Sequence, residues 1–266
     1  MIPISEKEFA QFQRFILEAA GISLSHAKKQ LVCGRLSRRL QHHKLKSYSE
    51  YFNLLQCGRN PAEIQIAVDL LTTNETHLFR EPRHFDILRQ LALQRRGSAQ
   101  VFRVWSAACS SGEEPYSIAM VLNDCLPEGG WEVLGSDIST RMLERAQAGH
   151  YPLDRARHVP EGYLRRYCLR GIGSQAGTLL VSRAMRQKVL FRQINLNQPL
   201  PRVGPFDVIF LRNVMIYFNT DTKKQILARI ADQLREGGYL LIGHSESLNG
   251  FGDGWVAEAP AVYRKL

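Results

Sequence analysis

The chain has 266 residues, 44% of them hydrophobic, and carries 35 Lys and Arg against 25 Asp and Glu, a formal charge of +10. This composition suits one large packed domain or two smaller ones and excludes a disordered or fibrous chain. Five scattered cysteines (Cys33, Cys57, Cys109, Cys125, Cys168) without a C-x-x-C pair exclude a disulfide framework and suit a reducing cytoplasm. No run approaches the ~18 apolar residues of a membrane span. The first residues lack the basic and apolar regions of a signal peptide, so a cytoplasmic protein without membrane insertion is expected. The positive balance predicts an acidic partner, whether nucleic acid, anionic membrane or protein.

Residues 1–71 read as a helical domain, 72–97 as a linker or lid with a connecting helix, and 98–266 as an α/β domain. Ser5 with Glu8 has the capping-box spacing, Phe9, Phe12, Ile16 and Leu17 follow at helical intervals, and Gly21 ends the helix. The next helix, about His26 to Lys44, places Val32, Leu36 and Leu40 on one face and Lys28, Arg35 and Arg39 on an adjoining stripe. Between His26 and Lys46 there are seven Lys and Arg, Arg38 among them, and no acid. A solvated face usually mixes signs, so this single-sign helix is read as a partner-binding surface. Helices at Tyr48–Cys57 and Pro61–Leu71 complete the bundle. The polar stretch Leu71 to Pro82 lacks a period. It is either a plain linker or a lid that brings Asn74, Thr76 and Arg80 over the neighbouring domain. A helix from Pro82 to Arg95 follows.

The α/β part is organised around Val101 to Ala119. A β-branched and aromatic run passes through the small residues Ala107 to Gly112 into a helix whose first turn tolerates Pro115. Small residues there let a ligand approach the backbone, and the helix N-terminus favours negative charge. A second strand, Trp131 to Ile138, ends in Asp137, about 25 residues beyond Gly112, close to the position at which an acid holds a ribose diol in a dinucleotide fold. The ligand is therefore expected to be an adenosine compound. Cys109 reads as a small packing residue rather than a nucleophile.

After a helix at Thr140 to Gly149, the basic region Tyr151 to Arg192 contains Gly171, Gly173 and Gly177 and two alternating runs, Thr178–Arg183 and Lys188–Arg192. These predict an inserted antiparallel β-subdomain at about 170–192. Strands at Val189–Phe191, Phe206–Leu211, Tyr239–Ile242 and Ala261–Arg264 alternate with a helix from Thr222 to Arg235 that should close on Gly237-Gly238. The whole is a doubly wound, mostly parallel sheet. Glu114, Asp137, Asn195, Asn213 and Tyr217 collect at its strand ends. They suit ribose hydroxyls, an adenine edge and an amino acid moiety, and they make no Ser/His/Asp set. His77, His84 and His244 are too far apart in sequence to suggest a zinc motif, and no metal is expected.

The strings Thr72 through Glu81, Trp105 through Ser117, Ser136-Asp137-Ile138, Arg212 through Phe218 and Gly243-His244-Ser245-Glu246-Ser247 together resemble the chemotaxis receptor protein-glutamate O-methyltransferases of the CheR type. The resemblance spans nearly the whole chain. It implies a class I S-adenosylmethionine-dependent methyltransferase fold, with S-adenosylhomocysteine as product. It implies cofactor contacts from Asn74, Thr76, Arg80, Glu114, Asp137, Asn195, Leu196, Asn213 and Val214, with Glu113 a less favoured alternative to Glu114. Glu75 and His77 stand where the family often has an apolar or small pair, and the loop Asn197-Gln198-Pro199 is short. The implied substrate is a glutamate carboxylate on chemoreceptor cytoplasmic helices, docked by Lys28, Arg35, Arg38 and Arg39. A receptor C-terminal peptide on the inserted subdomain is a further expected partner. Arg80 and Tyr217 are the expected catalytic residues, orienting a nucleophile that is already ionised at neutral pH.

Three other readings compete. A nucleic-acid methyltransferase using the basic helices is the main alternative, but the Asp/Asn-Pro-Pro-aromatic string common in base amino methylation is replaced by Asn213-Val214-Met215-Ile216. A nicotinamide oxidoreductase would want Gly-x-Gly-x-x-Gly in the first turn. A non-enzymatic binding module would be expected to have lost Asp137 or Glu114. No nucleic-acid partner is therefore expected.

Overall fold

A computed structural model describes residues 2–127 and 129–266. Four helices come first: α1 (Glu6–Ala20), α2 (Lys29–His42), α3 (Tyr48–Gln56) and α4 (Pro61–Leu71). The capping box at Ser5 and Glu8 forms, and Gly21 closes α1 in the left-handed conformation. The second oxygen of the Glu8 carboxylate accepts from the Ser49 backbone N–H at 2.8 Å, so one cap also ties α1 to α3.

The α/β part follows as α5 (Arg83–Gln94), β1 (Phe102–Ala107), α6 (Glu113–Cys125), β2 (Trp131–Asp137), α7 (Thr140–Ala148), β3 (His150–Pro152), α8 (Glu161–Tyr167), β4 (Cys168–Arg170), β5 (Thr178–Val181), α9 (Arg183–Arg186) and β6 (Val189–Gln193). It closes with β7 (Phe206–Leu211), α10 (Thr220–Ala231), β8 (Leu234–Ile242), β9 (Trp255–Ala259) and β10 (Val262–Lys265). Among the described residues, seven strands make one sheet in the order β6-β2-β1-β7-β8-β10-β9. The first five are mutually parallel and β10 runs antiparallel to both its neighbours.

Strand alternation sends successive side chains into two cores. Val104, Val133, Phe210 and Leu241 face a cluster with α5, α6 and the inserted segment. Trp105, Leu134, Ile209 and Leu240 face the opposite cluster, which is continuous with Phe9, Phe12, Leu36 and Tyr51 of the N-terminal helices. The helical domain therefore shares its core with one face of the sheet, and its position over the strand ends is held by apolar packing.

Three expectations are corrected. The inserted antiparallel sheet is built from β3, β5 and β4, spanning 150–181 rather than 170–192. The run at Val189–Arg192, read both as a hairpin strand and as a strand of the main sheet, is only the latter, pairing in parallel with β2 at the sheet's edge. The helix before β8 stops at Ala231, and Gly237-Gly238 lie inside β8. There Gly237 adopts φ 70° beside a register irregularity in the β7–β8 pairing. Strand β9 was not anticipated.

Candidate active site

The turn between β1 and α6 sets the site. Ala108 (φ 115°), Ser110 (φ 49°) and Gly112 (φ 91°) all have positive φ. Two successive N–H groups, of Ala108 and Cys109, donate to the Ser136 carbonyl at 2.9 and 2.8 Å, which holds the strained turn against β2. A Cβ on Gly112 would lie 2.6 Å from Cβ and 2.8 Å from Cα of Ala146, so only glycine lets α6 start this close to α7. Cys109 is buried, and burial pushes its thiol well above the ordinary range, consistent with packing rather than nucleophilic chemistry.

Asp137 ends β2 inside the same cleft. One carboxylate oxygen accepts the Ser110 N–H at 2.8 Å and the other accepts the Ser139 N–H at 2.9 Å. Each oxygen keeps a lone pair. Burial raises the carboxyl's pKa, and the two backbone donors pull against that rise. Glu114 reaches the cleft, accepting from Ser106 Oγ at 2.6 Å and pairing with Arg212 at 2.7 Å. Glu113 points elsewhere: it is buried, accepts from Ser111 Oγ at 2.7 Å, and does not line the cleft.

The stretch from Thr72 to Arg80 crosses the cleft as a strap without helix or strand. It is anchored on both sides. Arg35 of α2 donates to the carbonyls of Leu71 and Thr72 at 3.1 and 2.9 Å, and Ser110 Oγ donates to that of Asn74 at 3.0 Å. Arg155 donates to the Thr76 carbonyl, and the Phe79 N–H donates to Ser117 Oγ at 2.9 Å. Phe79 and Glu81 both adopt φ near +57°, a conformation costing about 1–2 kcal/mol per L-residue that these anchors hold in place.

Every residue expected to meet the cofactor lines this one cleft: Asn74, Thr76, Arg80, Glu114, Asp137, Asn195, Leu196, Asn213 and Val214, with Tyr217 at the same wall. Their side chains are not equally free. Asn195 donates to the Ala19 carbonyl at 2.7 Å and accepts from the Asn197 N–H at 2.9 Å, so its amide already binds α1 to the sheet. Asn213 has φ 56°, and its backbone N–H donates to Glu246 at 2.9 Å. The Arg80 guanidinium donates to the Glu75 carbonyl at 2.8 Å and is half-buried.

Several lining residues escaped the sequence reading. Ala20 and Ile22 come from the end of α1, and with Ile138, Ile194 and Leu196 they give the cleft an apolar wall. An isolated bridge between Ile22 and Phe218 and a Ser23 N–H bond to the Tyr217 carbonyl, 2.8 Å, join the two domains there. Arg212 is the buried hub: it pairs with Glu81 at 3.0 Å and Glu114 at 2.7 Å, and donates to the Arg80 carbonyl at 2.6 Å. Only its place beside Asn213 in the string could have pointed to it.

The proposed docking stripe divides. Lys28 and Arg38 are exposed. Arg35 is spent on the strap, and Arg39 pairs with Glu63, donating from Nε at 2.8 Å, while Tyr51 and His43 share the same carboxylate. Burial opposes ionisation of Glu63, but these three donors outweigh it and hold its pKa at about 2. Arg35 and Arg39 thus have internal partners that the helical stripe did not reveal.

A sheet in which an antiparallel strand is inserted next to the last one, with an acid at the end of the second strand and a small-residue turn after the first, defines a class I S-adenosylmethionine-dependent methyltransferase. The chain belongs to the CheR methyltransferase family. The family's SAM-binding domain matches residues 74–259 and its all-alpha domain residues 7–72. Similar curated proteins include the chemotaxis protein methyltransferase 2 of Pseudomonas aeruginosa, 43% identical over 91% of this chain and 87% of that protein. The chemotaxis protein methyltransferase of Salmonella typhimurium is 41% identical over 93% and 86%, and that of Escherichia coli 40% over 98% and 92%. Among the described residues, no helix is long and apolar enough to cross a membrane.

Proposed function

We propose that this methyltransferase esterifies glutamate carboxylates on the cytoplasmic helices of chemoreceptors. The observation that carries the reading is one cleft that joins a buried ribose-type acceptor, Asp137, to a half-free arginine, Arg80, and a tyrosine, Tyr217, beneath an anchored strap. The cleft suits S-adenosylmethionine chemically: carboxylate lone pairs on Asp137 for a diol, an apolar wall from Ile138, Ile194 and Leu196 for a purine, and Glu114 with the Ala108–Ser110 turn for a charged amino acid end. When bound, that cofactor supplies an electrophilic sulfonium methyl group.

The chain's own residues need not remove a proton. A glutamate side chain, with a pKa of about 4.3, is already a carboxylate at neutral pH. Arg80 orients it, and Tyr217 donates a second hydrogen bond. Catalysis then rests on positioning and on exclusion of water by the strap. Arg80 shares its guanidinium with the Glu75 carbonyl, which keeps it from neutralising the nucleophile fully. The nucleic-acid alternative draws no support from the family or its relatives, and a receptor surface rich in acid meets the exposed Lys28 and Arg38 instead.

The inserted sheet is the proposed tether for an acidic receptor C-terminal peptide. Its edge strand β4 carries Leu169, exposed at 58%, followed by Ile172 at 83%, with Arg170 between them. Peptides add to such edges by main-chain bonding. The deciding experiment incubates the protein with labelled S-adenosylmethionine and receptor cytoplasmic fragments. Label released as methanol by mild base, and absent when the receptor glutamates are changed to alanine, is the expected result. Base-stable label on receptor or on nucleic acid would overturn the reading. Fluorescence anisotropy with receptor C-terminal peptides tests the tether separately.

A further inference from the structure

Behind Arg80, three side chains from two separate stretches converge. Glu81 Oε2 lies 3.4 Å from His84 Nδ1 and 3.7 Å from His244 Nε2, and the three atoms all lie within 4.8 Å of one another. Nitrogen and oxygen ligands bound tetrahedrally to zinc at 2.0–2.2 Å stand about 3.4 Å apart. The observed spacing therefore approaches that of a ligand set before contraction around an ion.

His84 is the telling member. It is 1% exposed, yet neither ring nitrogen has a hydrogen-bond partner, and Glu81 Oε2 beside it is ion-paired with Arg212 at 3.0 Å. Buried polar atoms without a partner are costly and call for an explanation.

The surroundings supply what such a site needs. The other oxygen of Glu81 accepts from Asn213 Nδ2 at 3.3 Å and from the His244 N–H at 3.4 Å, which orients the carboxylate. Arg212 opposes a cation, but it is divided between Glu81 and Glu114, and Glu246 adds a third carboxylate through the Asn213 and Gly243 N–H groups. Two carboxylates thus pair with one buried guanidinium, and a third lies on the neighbouring Asn213 backbone. His244 is 51% exposed on its side chain, which gives an ion access from solvent and leaves room for water at a fourth position.

We propose that Glu81, His84 and His244 form a binding site for a divalent transition-metal ion of the Zn²⁺ class. An ion there joins the chain entering α5 to the loop after β8. Because Glu81 follows Arg80 and touches Asn213, the ion would stiffen the back wall of the cofactor cleft.

The test uses the full chain stripped with chelator and titrated with Zn²⁺ against a chromophoric competitor, with His244→Ala as the variant. His244 is outside the cleft, so circular dichroism and S-adenosylhomocysteine affinity serve as controls for folding. The expected result is one tight equivalent in the wild type, weakened at least tenfold in the variant, a loss typical of removing a ligand or its support. Crystals grown with Zn²⁺ give an independent readout: an anomalous-difference peak between the three side chains. Unchanged Zn²⁺ affinity in His244→Ala, or a peak only elsewhere, such as at His42 and His43, would overturn the proposal.

Discussion

Asp137→Ala tests the cofactor geometry most directly. In the protein the two carboxylate oxygens already accept the N–H groups of Ser110 and Ser139, so what a ribose would take is the remaining lone pair on each. A hydrogen bond to a charged acceptor contributes about 1.5–3 kcal/mol, so losing one weakens affinity about ten- to a hundredfold, and losing both weakens it further. Truncation also strips two backbone donors of their acceptor, which lowers stability. Asp137→Asn serves as the companion variant, because it keeps one acceptor and removes a charge that burial disfavours. Isothermal titration with S-adenosylhomocysteine, beside circular dichroism, reads both effects. The same carboxyl sets a pH signature. Its free-state pKa is raised and the ligand requires the ionised form, so wild-type affinity is full above that raised value and falls on acidification. The fall should begin above the ordinary aspartate range of about 3.9, and Asp137→Asn should flatten it. A natively folded Asp137→Ala protein binding within about threefold of wild type would remove this residue from the cofactor site.

Arg80→Ala should lose receptor methylation far more than cofactor affinity, measured as single-turnover rate against titration, whereas equal losses in both would make it a binding residue only. Reversing Lys28 and Arg38 to Glu should abolish receptor methylation while leaving S-adenosylhomocysteine affinity intact, and wild-type turnover should fall with salt as charges are screened over about 8–10 Å; normal methylation by the double variant would reduce this surface to a solvated face. Glu63 has a folded pKa of about 2 against an ordinary 4.5, so its ionised form contributes about 3 kcal/mol above pH 5, and this is lost as pH falls toward 2. Glu63→Gln should therefore lower unfolding free energy by about that much at pH 7 and by little near pH 2, and a difference constant with pH would contradict the assignment.

Much of this architecture was legible because it rests on local or periodic signals. The capping box at Ser5 and Glu8, the αL glycine at Gly21 and the apolar intervals of α1 are satisfied within a few residues of chain, so no tertiary partner can move them. The central strands are apolar on both faces because both faces are covered, and the acid closing β2 had to stand at the strand's carboxyl end. What the chain could not disclose is decided by packing between distant segments. Val189–Gln193 reads equally as a hairpin strand and as a strand of the main sheet, and the free edge of β2 decides between them. Arg35 and Arg39 look like free charges on a helical stripe, but the Thr72 carbonyl and the Glu63 carboxylate lie 37 and 24 residues away. Ala20 and Ile22 reach the cleft only because the helical domain shares a core with the sheet. Glu81, His84 and His244 meet across 163 residues because the Glu81 carboxylate, held by Arg212, accepts the His244 N–H from the loop after β8. Periodicity records which face of an element is buried. It does not record which other element does the burying, and that choice is made by the three-dimensional fit of the two cores.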